Sequence, residues 1–185
     1  MSIIDILAGI EEVEPTPILV APHPVLRQKA RAVAEEDMTQ IRAALPGMFS
    51  AMYKAPGIGL AAPQVGLSLR LIIIDLADRS KEESPAPLVL INPEILETSE
   101  TTSPRQEGCL SLPNQFAEVE RPDVVKVRYL DLNGSVVERE EDGLLGTCIQ
   151  HEIDHLEGKL FVDHLTTLKR NMIMRRLNKE QKRRH

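Results

Sequence analysis

Three stretches of the chain repeat apolar residues at helical spacing, and a block between them alternates at the spacing of strands. The first covers residues 36–54, with Met38, Ile41, Leu45, Met48, Phe49 and Met52 on one face. Pro46-Gly47 interrupts it, and a proline inside a helix clashes with the carbonyl four residues back, costing about 3 kcal/mol. A kink or two consecutive helices are predicted there, with Pro56-Gly57 as the stop. The second runs between Asp142 and Gly158, candidate start and stop residues, with Leu144, Leu145, Ile149, Ile153 and Leu156 apolar. The third is a C-terminal amphipathic helix with the stripe Leu165, Leu168, Met172, Ile173 and Leu177. Residues 70–75, built on Leu71, Ile72, Ile73 and Ile74, read as a buried strand. Residues 77–87 read as polar loop and 88–91 as a second strand. Short β-patterns follow at 95–101, 116–119, 124–130 and 135–140, with a hairpin turn at Asp131-Leu132-Asn133-Gly134. Near the start, residues 18–20 read as a short strand, Pro22-His23-Pro24 as a turn and 25–31 as a helical turn. Residues 1–16, apolar, then acidic, then Pro-rich, read as an N-terminal extension, an appendage or mobile lead-in.

Length and composition sharpen this. At 185 residues the chain is most simply one domain, residues 1–185, with a core large enough to fold unstapled. Aromatics make up only 3%, with no Trp, so the core must be aliphatic. Two cysteines, Cys109 and Cys148, are too few for a disulfide framework and suit a reducing compartment. No signal-peptide pattern opens the chain and no stretch has the apolar length of a membrane span, so a soluble, cytoplasmic protein is expected. The net charge of −6 hides an asymmetry. Residues 169–185 hold eight basic residues against one acid, Glu180, leaving 14 basic and 27 acidic residues, a balance of −13, in the rest. A basic tail on an acidic body either contacts a polyanion such as RNA or is a solvated helix end set against its own dipole.

The densest chemistry lies inside the second helix, at Gln150-His151-Glu152-Ile153-Asp154-His155-Leu156. Residues four apart stack on one helical face, so His151 and His155 can share a metal ion with Glu152 beside the first. In this H-E-x-x-H arrangement the carboxylate can reach a water on the metal. A solvated charged face is the competing reading, but the apolar flanks bury the helix, and buried polar residues need partners. A catalytic site needs a third protein ligand and an open position; Cys148, Cys109 and a carboxylate are candidates. Cys148 precedes His155 by about 10 Å of helix rise, too far for one ion, and reads as a buried small residue. Cys109, within Gln106-Glu107-Gly108-Cys109-Leu110-Ser111-Leu112-Pro113, can approach from another element and is favoured. The glycines and alanines of residues 57–66 mark backbone approached closely by a ligand or another segment. That stretch meets neither the phosphate-loop nor the dinucleotide spacing. His23 reads as a surface turn residue.

In order, Gly57-Ile58-Gly59-Leu60-Ala61-Ala62-Pro63-Gln64, Glu107-Gly108-Cys109-Leu110-Ser111 and Gln150-His151-Glu152-Ile153-Asp154-His155-Leu156 resemble the three motifs of the peptide deformylase family. With Val25-Leu26-Arg27 and the strand-rich middle, the resemblance covers residues 17–168. It implies an α+β fold, small antiparallel β-sheets packed around a central H-E-x-x-H helix. It implies hydrolysis of the formyl group from the N-terminal formylmethionine of newly synthesised polypeptides, releasing formate. One divalent metal ion per chain would be held by Cys109, His151 and His155, natively Fe2+, with Zn2+ or Ni2+ able to occupy the site. A thiolate ligand suits zinc and iron alike, so iron comes from the resemblance. Metal-bound water would be the nucleophile, its pKa lowered to about 7. Glu152 would be general base and then acid, a role worth about 10² to 10⁴ in rate. The Gln64 side-chain amide and the Leu110 backbone N–H would stabilise the oxyanion. Gly57 and Gly59 would let the substrate backbone lie close, as an added strand, with Ile58 in the methionine pocket. Expected partners are the N-formylmethionyl peptide and, through the basic tail, the ribosome; neither membrane nor specific DNA is expected.

The chain departs from the family pattern at Phe116, where many bacterial members carry a basic residue, and at Pro46-Gly47, inside what the family builds as one uninterrupted helix. Glu107 and Arg121 are expected either to pair behind the Cys109 loop or to form a plain surface pair. Two other readings start from the same residues. One is a zinc endopeptidase, against which the cysteine motif counts; the other is a non-catalytic metal- or RNA-binding module using the tail.

Overall fold

In the computed structural model, which describes residues 3–77 and 84–184, the run Leu71–Ile74 is a strand buried on both faces. Leu71 and Ile73 join one core, Ile72 and Ile74 another. Side chains alternate across a strand, so a continuous apolar run marks a sheet covered on both sides. The strands among the described residues are β1 (Gly59–Ala61), β2 (Leu71–Ile74), β3 (Leu88–Thr98), β4 (Thr102–Cys109), β5 (Leu112–Pro122), β6 (Val124–Leu130) and β7 (Val136–Asp142). Five make one antiparallel sheet in the order β1-β2-β3-β6-β7; β4 and β5 form a separate antiparallel pair. The helices are α1 (Ile3–Leu7), α2 (Met38–Lys54), α3 (Gly143–Leu156) and α4 (Thr167–Arg184). This is the α+β architecture that the motifs implied. No helix among the described residues is long and apolar enough to cross a membrane.

Each core explains one placement. The predicted stripe of α2, with Ile41, Leu45, Met48, Phe49 and Met52 fully buried, packs on Leu60, Leu71, Ile73 and Ile91. The opposite face of the sheet receives α3 through Ile149, Ile153 and Leu156, against Ile72, Ile74, Leu90 and Val127. Burial of each such side chain stabilises by about 1.5–3 kcal/mol, which outweighs the cost of carrying polar residues on the same helix. A third core joins Leu112 and Val119 of β5 to Phe161 and to Ile173 and Leu177 of α4.

Several local expectations change. Helix α2 runs unbroken through Pro46, so the two-helix alternative is not realised. The reason for the glycine lies outside the helix. A Cβ on Gly47 would lie 2.4 Å from Thr16 Oγ1, and the Thr16 amide donates to the Gly47 carbonyl at 3.1 Å. The chain before α2 therefore crosses the helix there. The leading segment does not stand off the body: Ile6 and Ile10 enter the α2 core. Residues 18–20 are not a strand, because their backbone partners are not strands: the Leu19 amide donates to the Gln64 carbonyl, in the 3-10 turn Ala62–Val65, at 2.8 Å and the Ala21 amide to the Ser111 carbonyl, in the turn after Cys109, at 2.9 Å. Strands read separately at 88–91 and 95–101 are one bulged strand, β3, bent where Asn92 takes φ 51° and its side chain pairs with both polar backbone atoms of Val33. On α4 only Ile173 and Leu177 of the stripe are buried; Leu168 and Met172 face solvent, because only one stretch of the helix meets β5. Of the polar loop expected at 77–87, residues 78–83 lie outside the described residues.

Candidate active site

Helix α3 begins after Asp142, whose backbone is extended, and ends before Gly158, which takes φ 69°. Its packing on the sheet places His151 and His155 one turn apart on a buried face, with ring centroids 5.1 Å from each other. The third group arrives from the other sheet. Leu110 and Ser111 form the tight turn between β4 and β5, which leaves Cys109 at the strand end opposite Leu112. Its Sγ lies 3.2 Å from His155 Nε2. The ligand atoms of Cys109, His151 and His155 all lie within 4.8 Å of one another. Donors around a tetrahedral ion at about 2.0–2.3 Å stand about 3.5 Å apart, so this triad fits a divalent metal. Cys148 takes the other role predicted for it, a buried residue beneath Ile58 and Gly59.

The surroundings favour positive charge at that point. His151 Nδ1 faces Glu107 Oε2 at 2.8 Å, which leaves Nε2 for the cluster. Burial alone would lower the pKa of His151, yet hydrogen bonds to Cys109 and Glu107 and the charge of Glu152 raise it well above the ordinary value. Burial and the charge of its neighbour His151 push His155 the opposite way, below its ordinary value.

Behind the triad sits the ion pair that the sequence left open between buried and superficial. It is buried. Arg121 bonds both carboxylate oxygens of Glu107, through Nε to Oε1 and through Nη2 to Oε2 at 2.9 Å, and its Nη1 reaches Asp154 Oδ2 at 2.9 Å. Asp154 Oδ2 also meets His164 Nε2 at 2.7 Å. Burial pushes the Glu107 carboxyl up, but Arg121 and His151 outweigh it and hold the group below its usual value. Sequence reasoning missed Asp154 and His164 as members, although Asp154 stands inside the H-E-x-x-H motif; no local spacing points to His164.

Glu152 is 4% exposed, and its Oε2 is buried with no hydrogen-bond partner among the described residues. Burial, with the charge of Glu107, raises its pKa from 4.5 to about 7 despite His151. It lies against β1, where a Cβ on Gly59 would come within 2.6 Å of Glu152 Oε1 and 2.7 Å of Cys148 Sγ. Gln64 is also buried. Its Oε1 accepts from the Ala61 amide at 2.9 Å, which turns Nε2 toward Ser111 Oγ at 3.1 Å and Cys109 Sγ at 3.6 Å. Ser111, which the sequence offered only as the last residue of the cysteine motif, thus helps to hold this amide.

These groups open on a cavity of about 540 Å3, within the range of ligand sites. Gly57, Ile58, Gly59, Gln64 and Leu110 all line it, as do Cys109, His151 and Glu152. Phe116, 63% exposed, forms part of the opposite wall with its ring laid over Gly108, where a Cβ would meet the ring at 2.5 Å. With the exception of His155, every residue singled out from the sequence for metal binding, catalysis or substrate contact lines this one space.

Comparison with known proteins agrees. The polypeptide deformylase family model matches residues 15–171. A peptide deformylase of Mesorhizobium japonicum is 51% identical over 163 residues, 88% of this chain and 91% of its own. The solved peptide deformylase of Legionella pneumophila aligns with a TM-score of 0.81 at 41% identity, over 92% of this chain and 97% of that one. The class I type b peptide deformylase of Acinetobacter baumannii, solved with Met-Ala-Ser bound, gives a TM-score of 0.75 at 35% identity, over 83% and 99%. A half-identical relative over most of its length and a buried Cys-His-His triad beside a lone glutamate leave one assignment, and the chain belongs to the polypeptide deformylase family, metal-dependent hydrolases that remove the N-formyl group from nascent peptides.

Proposed function

We infer that Cys109, His151 and His155 hold one divalent ion, Fe2+ in the cell with Zn2+ or Ni2+ as substitutes, and that Glu152 is the proton carrier. When bound, the ion supplies an activated water and a Lewis acid for the formyl oxygen. Glu152 Oε2 takes the proton of the attacking water and delivers it to the departing amine. A carboxyl that burial lifts above its ordinary value is suited to both halves of that transfer. The Gln64 Nε2 and the Leu110 N–H donate to the developing oxyanion, each worth about 3 kcal/mol if typical of such groups. The methionine enters beside Ile58, and the peptide backbone lies along Gly57 and Gly59, at the free edge of β1. The Met-Ala-Ser held by the Acinetobacter baumannii relative supports a short N-terminal peptide as ligand.

The observation that carries this reading is the unpartnered, buried Glu152 carboxylate beside the triad. Purified protein is expected to release formate from formyl-Met-Ala-Ser, and Glu152→Ala to abolish release with its metal still bound. A fully active Glu152→Ala enzyme would sink the proton-carrier role. Anaerobic metal analysis with an activity assay tests iron: loss of activity in air, restored by nickel, is expected. The enzyme works in the cytoplasm, where the basic face of α4 docks on the ribosome. Replacing Lys169, Arg170, Arg175 and Arg176 by Gln is expected to weaken co-sedimentation with ribosomes at unchanged tripeptide turnover; unchanged sedimentation would remove the docking role.

A further inference from the structure

The catalytic cavity does not end at its own wall. Pro113, which lines it, also lines a second concavity of about 820 Å3 on the far side of the β4–β5 turn. This groove runs between the C-terminal half of α4 and residues 20–22. Val20, Pro22, Pro113 and Leu177 give it apolar surface; Asn178, Gln181 and Lys182 supply polar groups from α4. Two hydrogen bonds hold its sides together. Gln181 Nε2 donates to the Ala21 carbonyl at 2.8 Å, and Gln115 Nε2, from the wall of the catalytic cavity, donates to Glu180 Oε1 at 3.4 Å. Glu180, the one acid in the basic tail, lines the groove together with Lys182, so the groove presents one charge of each sign.

We propose that this groove binds the part of the nascent chain that follows the first three residues, as an extension of the catalytic cleft. The inference rests on the deformylase reading of the cavity. The substrate is the start of a long polypeptide, so whatever seats the methionine must let the following chain leave along the surface. The groove shares Pro113 with the cleft, and its size matches ligand-binding concavities of ~300–1,000 Å3. Its chemistry also suits an occupant of variable sequence. The Asn178 amide and the Gln181 carbonyl oxygen, whose Nε2 is held by Ala21, can serve any peptide backbone, and the apolar residues accept any aliphatic side chain.

The test measures kcat/KM for formyl-Met-Ala-Ser and for versions extended by about three and about six residues, each residue adding ~3.4 Å of reach. The intact enzyme is expected to gain roughly five- to tenfold with length. Asn178→Trp and, independently, Lys182→Trp fill the groove from exposed positions on α4. Both are expected to erase that gain at unchanged tripeptide turnover. Absence of any gain with length would overturn the proposal and leave the groove to another occupant, such as a ribosomal component or a second copy of this chain. It would also be overturned by a gain that survives both substitutions, or by an equal fall for short and long peptides. Failure to turn over the tripeptide at all would instead remove the deformylase reading, and the proposal with it.

Discussion

Arg121 and Glu107 meet through two parallel hydrogen bonds inside the protein, and the second Glu107 oxygen also faces metal-ligand His151. Arg121 is 5% exposed and Glu107 5%. Loss of one member leaves a buried unpaired charge, which typically costs about 3–5 kcal/mol. Arg121→Met is therefore expected to destabilise the protein by about that amount in urea unfolding. Through the tilt of His151 it is also expected to weaken metal affinity about 10- to 100-fold in chelator competition. Glu107→Gln, which keeps the shape and one acceptor, is expected to lose less affinity than Glu107→Ala.

A methyl group at residue 59 would occupy space that Glu152 Oε1 and Cys148 Sγ fill. Gly59→Ala is expected to displace the carboxylate, and displacement near 1 Å costs on the order of 10² in rate. Formate release should fall by at least about tenfold, while metal content stays at wild-type level, because none of Cys109, His151 and His155 lies among the atoms closest to that methyl.

Among the described residues no Lys or Arg lines the catalytic cavity, and its exposed wall includes Phe116 and Leu144. A peptide with Asp or Glu after methionine therefore meets no cation among the described residues of that wall. Phe116→Arg is expected to raise kcat/KM for such peptides about two- to fivefold over formyl-Met-Ala, the scale of an exposed ion pair. The advantage should shrink as salt is added, which competition assays at two ionic strengths would reveal.

Asp37 accepts from both terminal nitrogens of Arg31 at 2.7 Å and from the Ala34 amide at 2.8 Å. The Arg31 bonds first, then Ala34, lower its pKa from 3.8 to about 2. A depressed carboxyl contributes stability that is complete above its unfolded value and is lost as pH falls through the folded one. Between pH 4 and pH 2 the wild-type melting temperature should thus drop more than that of Asp37→Asn. Parallel curves would show that the ion pair does not couple to folding.

The chemistry was legible because it was written at short range. His151, Glu152 and His155 lie within one helical turn, Cys109 is flanked by glycine and a tight turn, and Gln64 ends the glycine-rich stretch. What escaped notice depends on groups far apart in sequence. Asp154 joins Arg121 and His164 only because α3, β5 and the residues before α4 meet in space. Gly47 is required because Thr16 crosses the helix there, a contact with no periodic signature. The helical period located α4 but could not say which of its apolar residues would find a neighbour, and Leu168 and Met172 did not.

One consequence concerns the order in which the molecule is made. During synthesis the sheet and the Cys109 turn emerge before α3, and until that helix arrives Ile72, Ile74, Leu90 and Val127 have no cover on their side. The residues that close this core, Ile149, Ile153 and Leu156, are interleaved with His151, Glu152 and His155. Sealing the interior and arming the enzyme are therefore a single event, and a half-built chain has neither.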